Sequence, residues 1–322
     1  MTNHVTWDRG ISLVGHDLWF DPQTIREVAF VSHAHSDHAR RHRHALLTRE
    51  TLELSPGPRK PRGARVLPLE ETVRLGEAWV TLHDAGHMLG SAQVLFEHRG
   101  VRLLYTGDIK LRQGWGRADT TVPRAEVLVL ESTYGKPHFR FPDPDSVVET
   151  LALFCRRALD AGVVPVLLAH ALGKSQEVML ALAPYGFEFA LEERCVEPTR
   201  AYERAGATLP PWRELDPENP GRRVVVAPPS GKDAIRRLPR HRTALVSGWA
   251  QDPSFWRLFG ADFAFPYSDH CDFDELLAVI ERSGAEKVYT VHGFTEELAR
   301  HLRKRGVRAH ALAASEQLAL SL

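Results

Sequence analysis

Residues 29–42 read AFVSHAHSDHARRH, so His33, His35, Asp37 and His38 come directly after the apolar run Val28 to Val31. The run predicts a short buried strand that delivers the four polar residues into a loop. Imidazole and carboxylate together suit zinc and similar borderline divalent ions. The spacing suits two ions rather than one. His33 and His35 share parity, so in extended chain they project to one side and can grip a single ion. Asp37 and His38 are adjacent, diverge, and can reach a second. A His-x-His pair alone is common in solvated loops; four such residues after a strand point to metal.

Other segments of the chain could complete such a site. Trp19-Phe20-Asp21-Pro lies upstream, and Asp84-Ala-Gly-His87-Met-Leu-Gly-Ser and Tyr105-Thr-Gly-Asp108 lie downstream. With the first stretch, they match the His-x-His-x-Asp-His signature and the accompanying motifs of the metallo-β-lactamase fold. The resemblance implies an α/β protein built as an αββα sandwich. It implies that His33, His35 and His87 hold one ion, and that Asp37, His38 and His292 hold the other. Asp108 would bridge the two, and Asp21 would orient a ligand from behind. The expected cofactors are therefore two divalent ions, zinc or manganese.

Three more segments narrow the resemblance. Leu130-Glu131-Ser-Thr-Tyr-Gly ends an apolar run, Pro266-Tyr-Ser-Asp-His270 follows more than a hundred residues later, and Val288-Tyr-Thr-Val-His292-Gly ends another apolar run. The set resembles motifs A, B and C of the β-CASP nucleases. Ala171-Leu-Gly-Lys174-Ser-Gln176-Glu resembles a strand-to-helix turn of their inserted domain. From Leu13 to Glu316 the likeness is to the bacterial ligase-associated DNA exonucleases. It implies a discontinuous metallo-β-lactamase domain, residues 1–133 and 263–322, with an inserted β-CASP α/β domain at 134–262.

Composition sets wider limits. A chain of 322 residues, 43% hydrophobic, can bury a substantial core in one large or two medium domains. No apolar stretch is long enough to span a membrane, and MTNHVTWDRG has no signal-peptide segment, so a soluble cytoplasmic protein is expected. Cys155, Cys195 and Cys271 lie far apart and form no C-x-x-C pair, which argues against a disulfide framework or a cysteine zinc knuckle. Net charge is zero. Nucleic-acid binding then requires clustered cations, because affinity comes from local phosphate neutralisation. Arg40-Arg41-His-Arg43, Arg59-Lys60-Pro-Arg62, Arg236 to Arg242 and Arg300 to Arg308 are such clusters, the last reading as a helix. Arg40 and Arg41 flank the metal motif, and Lys174 follows Gly173 at a turn where amides and a cation could hold a phosphate. These three are the candidate substrate contacts.

Short β-rich segments fill the first 133 residues: Ala78 to His83, Ala92 to Glu97 and Val101 to Tyr105. Alternation in the second suggests one exposed face. From Asp145 the pattern becomes β–turn–α. A helix is expected over 146–159, a buried strand at Val163 to Leu168 and a helix through Leu182, which together imply a parallel sheet. Residues 206–223 read as a surface connection, and Val224 to Ala227 and Thr243 to Ser247 as further buried strands. A helix is expected from Asp274 to Ser283.

Two ions about 3.5–4 Å apart can stabilise both the attacking and the leaving oxygen of phosphodiester hydrolysis. The leaving alkoxide still needs a proton. His270 is the candidate general acid, with Glu131 orienting it and keeping it protonated. The resemblance implies a nuclease that trims DNA ends from the 5′ side, in repair, alongside a DNA ligase. The motif C histidine, His292, is associated mainly with RNA-processing members, so an RNA nuclease stands as the alternative. A small-molecule metallohydrolase is disfavoured by the insertion, and an inactive scaffold by the retained ligand set.

Overall fold

The computed structural model describes residues 4–113 and 119–312. Two compact units divide them: 4–113, 119–140 and 270–312 form the first, and 141–269 the second. Residues 313–322 of the expected second segment, Glu316 included, lie outside the described residues.

The first unit is the expected sandwich. One six-stranded sheet runs in order Val5–Trp7, Ile11–Leu13, Trp19–Phe20, Val28–Phe30, His44–Leu47 and Gly63–Val66. A seven-stranded sheet is ordered Arg308–Ala311, Lys287–Gly293, Val127–Ser132, Val101–Tyr105, Ala92–His98, Ala78–Asp84 and Thr72–Leu75. The two sheets share a core in which Phe20, Phe30 and Leu46 meet Leu82, Val94 and Tyr105. On the other face of the seven-stranded sheet, Leu104, Leu128 and Leu130 pack against Leu276 and Val279 of the helix Phe273–Ser283 and Leu298 of Thr295–Lys304. Val31, Ala39, Ala45 and Leu47 form a smaller cluster with Leu52 of the short helix Arg49–Leu54.

Ala92–His98 corrects one expectation: neither of its faces is open. Ala92, Val94 and Phe96 enter the core between the sheets, Leu95 enters the helix-side core, and Gln93 is buried. The alternation marks two different buried environments. Gln93 is tolerated there because its Nε2 donates to Asp84 O and Thr121 O, each at 2.8 Å.

The second unit carries an all-parallel sheet in order Trp212–Glu214, Phe189–Leu191, Val224–Ala227, Val164–Leu168, His241–Val246 and Phe263–Phe265. Its central strands read as unbroken apolar runs because both faces are covered. Leu167, Val224 and Val226 face one core with Leu151 and Val178, whereas Val166, Leu168 and Val225 face the other. The helix Pro144–Asp160 is capped by Asp143, two residues before the expected start, and Trp212–Glu214 adds a strand within the expected connection.

The units change at 140/141 and 269/270, downstream of the expected 134 and 263. Residues 134–140 stay with the sandwich because Phe139 stacks on Phe294 and Arg140 pairs with Asp274 at 2.7 Å. Phe263–Phe265 stays with the insertion as the edge strand beside His241–Val246. Among the described residues, no helix is long and apolar enough to cross a membrane.

Leu82 has no solvent exposure and lies in the core between the sheets. Leu82→Ala is expected to cost about 2–5 kcal/mol by lost transfer and cavity terms. Urea denaturation should show a lower midpoint at unchanged slope.

Candidate metal centre

The site residues sit where strands end. Asp21 follows Trp19–Phe20, His33 follows Val28–Phe30, His87 follows Ala78–Asp84 and Asp108 follows Val101–Tyr105. Glu131 and His292 occupy the last turns of Val127–Ser132 and Lys287–Gly293. Carboxyl ends of parallel strands are where side chains from distant parts of a chain converge. Ala92 N donates to Ser32 O at 2.9 Å, which ties the two sheets together beside the motif.

Donor atoms of His33, His35, His87 and Asp108 all lie within 4.8 Å of one another. His33 Nε2 is 3.1 Å from His35 Nδ1, and His35 Nδ1 is 3.3 Å from His87 Nε2. Asp108 Oδ2 lies 3.5 Å from His33 Nε2, 3.5 Å from His38 Nε2 and 3.8 Å from His87 Nε2. Two ligands about 2.0–2.2 Å from a shared ion are themselves about 3–3.5 Å apart, so these spacings suit a cation. His38 Nε2 is also 3.6 Å from Asp37 Oδ2, and its ring centroid is 5.0 Å from that of His292. His292 Nε2 is buried without a hydrogen-bond partner among the described residues. His42, His83 and His301 also have a buried Nε2 in that state; what sets His292 apart is its place beside His38.

His38 is held from behind. Its Nδ1 meets Asp21 Oδ2 at 2.8 Å, and Asp21 also accepts from Ser32 N at 2.7 Å, from Ser32 Oγ and from Tyr105 Oη at 2.7 Å. Sequence reasoning assigned Asp21 an orienting position but gave Ser32 and Tyr105 no role. Their hydroxyls carry no motif of their own.

The His87 loop is fixed by neutral polar groups that sequence reasoning also missed. Ser91 Oγ accepts from His87 N and Met88 N, each at 3.1 Å. Gln113 Nε2 donates to Gly86 O at 3.2 Å, Lys110 O at 3.0 Å and Thr120 Oγ1 at 2.9 Å. The segment after Asp108 is thereby stitched to the loop bearing His87. Gly86, at φ +70°, has no room for a side chain: a Cβ would come 2.0 Å from Gln113 Nε2.

Burial favours the neutral form of each group, and neighbouring charges decide the outcome. Asp108 is raised to about 7 by burial, only partly opposed by His38 and His270. For His38, burial is overcome by Asp108, Asp37 and Asp21, which lift it to about 10. His292 falls to about 4 through burial and then the His38 charge. Asp37 is held well below the usual carboxylate range by His38, His35 and His292, against the effect of burial.

His270 and Glu131 form a second group next to this one. Glu131 has no solvent exposure. Its Oε1 meets His270 Nδ1 at 2.9 Å and accepts from Ile109 N at 2.9 Å, and its Oε2 accepts from Thr133 N at 3.1 Å. Burial would raise its pKa, but the His270 charge and these hydrogen bonds bring it to about 2. The His270 ring centroid is 4.6 Å from that of His87.

Of the candidate substrate contacts, Arg41 is exposed and Arg40 is half-buried. Lys174 is a correction. It is 3% exposed and paired with Glu177 at 2.6 Å and Asp269 at 3.2 Å, so its charge is already compensated inside the second unit. Cys271 is buried and packs with Leu130 and Leu276, as a small apolar side chain would.

Residues 263–312 match the family model described as Zn-dependent metallo-hydrolase RNA specificity domain. A protein of Opitutus terrae named "Probable DNA ligase" is 39% identical over 99% of this chain and 32% of its own length. The "RNase J-like protein" of Methanocaldococcus jannaschii is 35% identical over 32% of this chain and 25% of its own. "Endoribonuclease ysh1" of Emericella nidulans is 32% identical over 37% of this chain and 14% of its own. The chain thus spans about a third of the first relative and a quarter of the second. A crystal structure of a protein of unknown function from Enterococcus faecalis shares the fold at TM-score 0.52 and 16% identity, over 90% of this chain and 80% of that one.

Because the folded-state pKa of Glu131 lies below its ordinary 4.5, its stabilisation is fully present above pH 4.5 and is lost as pH falls towards 2. In acid titrations of the metal-stripped protein, the stability gap between wild type and Glu131→Gln is expected to close across that window. A gap that stays constant from pH 5 to pH 2 would contradict it.

Proposed function

The chain belongs to the metallo-β-lactamase fold, β-CASP family, and from that premise we propose that it is a two-metal phosphodiesterase that trims DNA ends. The observation carrying the chemistry is the placement of Asp108 among three imidazole nitrogens, with the His270–Glu131 pair alongside. His33, His35 and His87 hold one ion and Asp37, His38 and His292 the other. Asp108 would offer its carboxylate to the ions as well, and Asp21 orients His38. Two divalent ions bound there supply an activated water and neutralise charge on the phosphate.

His270 does what an ion cannot: it delivers a proton to the leaving oxygen. Glu131 holds Nδ1–H, which fixes the ring and favours its protonated form. Arg40 and Arg41 follow the motif directly in sequence and are the candidate contacts to a phosphate backbone.

The DNA reading, with action from the 5′ end and in concert with a ligase, is supported by similarity along nearly the whole chain to the protein named "Probable DNA ligase". An RNA reading is favoured by His292 and by the RNA specificity model over residues 263–312. Labelled DNA and RNA of one sequence, digested with Mn, Mg or Zn, separate the two. DNA shortened from its 5′ end is expected. RNA cleavage with intact DNA would replace the first reading by the second, and inertness towards both would remove the nuclease reading.

His270→Ala is expected to slow DNA cleavage by about a hundredfold or more with metal content near wild type. A nitrophenyl phosphodiester, whose leaving group needs no proton, should be far less sensitive. Equal losses on both substrates, or loss of an ion, would exclude the acid role and Glu131's with it.

A further inference from the structure

Two basic runs that are separate in sequence are neighbours in the fold. Arg40-Arg41-His42-Arg43 leaves the metal motif and enters the strand His44–Leu47. Arg59-Lys60-Pro61-Arg62 precedes Gly63–Val66, which pairs with that strand in parallel. The pairing continues back into the basic runs, where Arg62 N donates to His42 O at 2.9 Å and Gly63 N to Arg43 O at 2.8 Å. Of the six cations, Arg43 pairs with Glu27 at 3.2 Å and Lys60 with Glu53 at 4.0 Å. Arg40, Arg41, Arg59 and Arg62 have no acidic partner within 4.0 Å among the described residues.

Resting on the reading above, we propose that Arg40, Arg41, Arg59 and Arg62 form one phosphate-binding strip beside the metal centre, which grips internal phosphodiesters of the strand being cut. Arg40 anchors it. Its Nε donates to Gln23 O at 3.2 Å and one Nη to Ala39 O at 3.0 Å, so two carbonyls of the fold hold the side chain in place. The remaining Nη donates to nothing among the described residues. A guanidinium fixed in this way loses little entropy on meeting a phosphate. Arg40 stands two residues after His38, in the turn where Ala39 N donates to His35 O at 2.8 Å, so the strip begins at the metal motif itself.

A solvated charged face would disperse its like charges or pair them with acids. Here the two basic runs meet through Arg62 N and His42 O, and Arg40 and Arg59 have no acidic partner within 4.0 Å among the described residues. Cations gathered on adjacent chain segments without acidic partners favour the approach of an anion. The spacing of such groups along a strip, rather than in a closed pocket, fits a polyanion better than a small phosphate ester.

The strip is tested by binding of a cleavage-resistant phosphorothioate oligodeoxynucleotide at several salt concentrations. Arg59→Ala and Arg62→Ala are each expected to weaken binding severalfold. Each should also reduce the slope of log affinity against log salt by about 0.7, the contribution of one single-strand phosphate contact. Arg99→Ala removes a cation at the hairpin between Ala92–His98 and Val101–Tyr105, the far end of the sheet, and should leave the slope unchanged. Effects should be equal on 5′-phosphorylated and 5′-hydroxyl strands; losses confined to the phosphorylated strand would overturn the internal assignment. Wild-type slope and affinity in both strip variants, with DNA cleavage intact, would overturn the strip alone. Wild-type protein that neither binds nor cuts any polynucleotide would remove the nuclease reading and the strip together.

Discussion

Three carboxylates, Asp21, Asp108 and Glu131, are taken out of water at one end of the sandwich, and how each is compensated governs the site. A buried carboxylate costs several kcal/mol unless it is hydrogen-bonded or paired. Asp21 is satisfied by Ser32, Tyr105 and His38, and Glu131 by Ile109, Thr133 and His270. Asp108 accepts no hydrogen bond among the described residues; its neighbours are imidazole nitrogens at 3.5 Å and beyond. Glu131 accordingly falls to about 2 while Asp108 rises to about 7, although both are buried. Burial raises both; the His270 charge, and then the hydrogen bonds it and the backbone supply, bring Glu131 down. The carboxylate left unsatisfied is the one placed to meet a cation, where binding an ion would displace a proton.

Topology explains how residues 21 to 292 reach one place. Both sheets present parallel strand ends on the same side, and helices on the outer face of the seven-stranded sheet bury Leu104, Leu128 and Leu130. The strands carrying Asp108, Glu131 and His292 are thus fixed in register by packing far from the chemistry. Local backbone finishes the placement. His292 adopts φ +54° and is followed by Gly293 at +66°, where a Cβ would meet Ser132 O at 2.5 Å. A left-handed pair at that strand end turns the imidazole out of the ladder, which accounts for glycine after the histidine.

What was legible in the sequence was what metal chemistry restricts to few residue types in short windows. Histidines and aspartates at fixed spacing after apolar runs marked side chains that the fold brings close together, and apolar runs of strand length located the sheets. Less legible were features whose meaning depends on a tertiary partner. Ser32, Ser91, Gln113 and Thr120 are ordinary polar residues until a loop from elsewhere arrives against them. Lys174 after Gly173 suggested a phosphate cradle, but Glu177 and Asp269 claim its charge. Alternation in Ala92–His98 reads identically whether the second face meets water or another core. The ends of the insertion were blurred because aromatic stacking, Phe139 on Phe294, holds residues 134–140 in the sandwich.

The burial pattern also gives the centre a direction. On one side Asp21, Ser32, Tyr105 and His38 are all nearly devoid of exposure, and every carboxylate oxygen there is hydrogen-bonded. No group on that side could yield to a substrate without unsatisfying another. On the opposite side the Asp37 side chain is half exposed, His35 is partly exposed, and the His270 side chain retains 16%. Asp37 and His270 are thus the groups of the site that keep contact with solvent. The closed wall fixes the geometry of His38. The division follows from a single arrangement: Tyr105 and Ser32 close the wall by donating their hydroxyls to Asp21, and Asp108 is the carboxylate left without a hydrogen bond among the described residues.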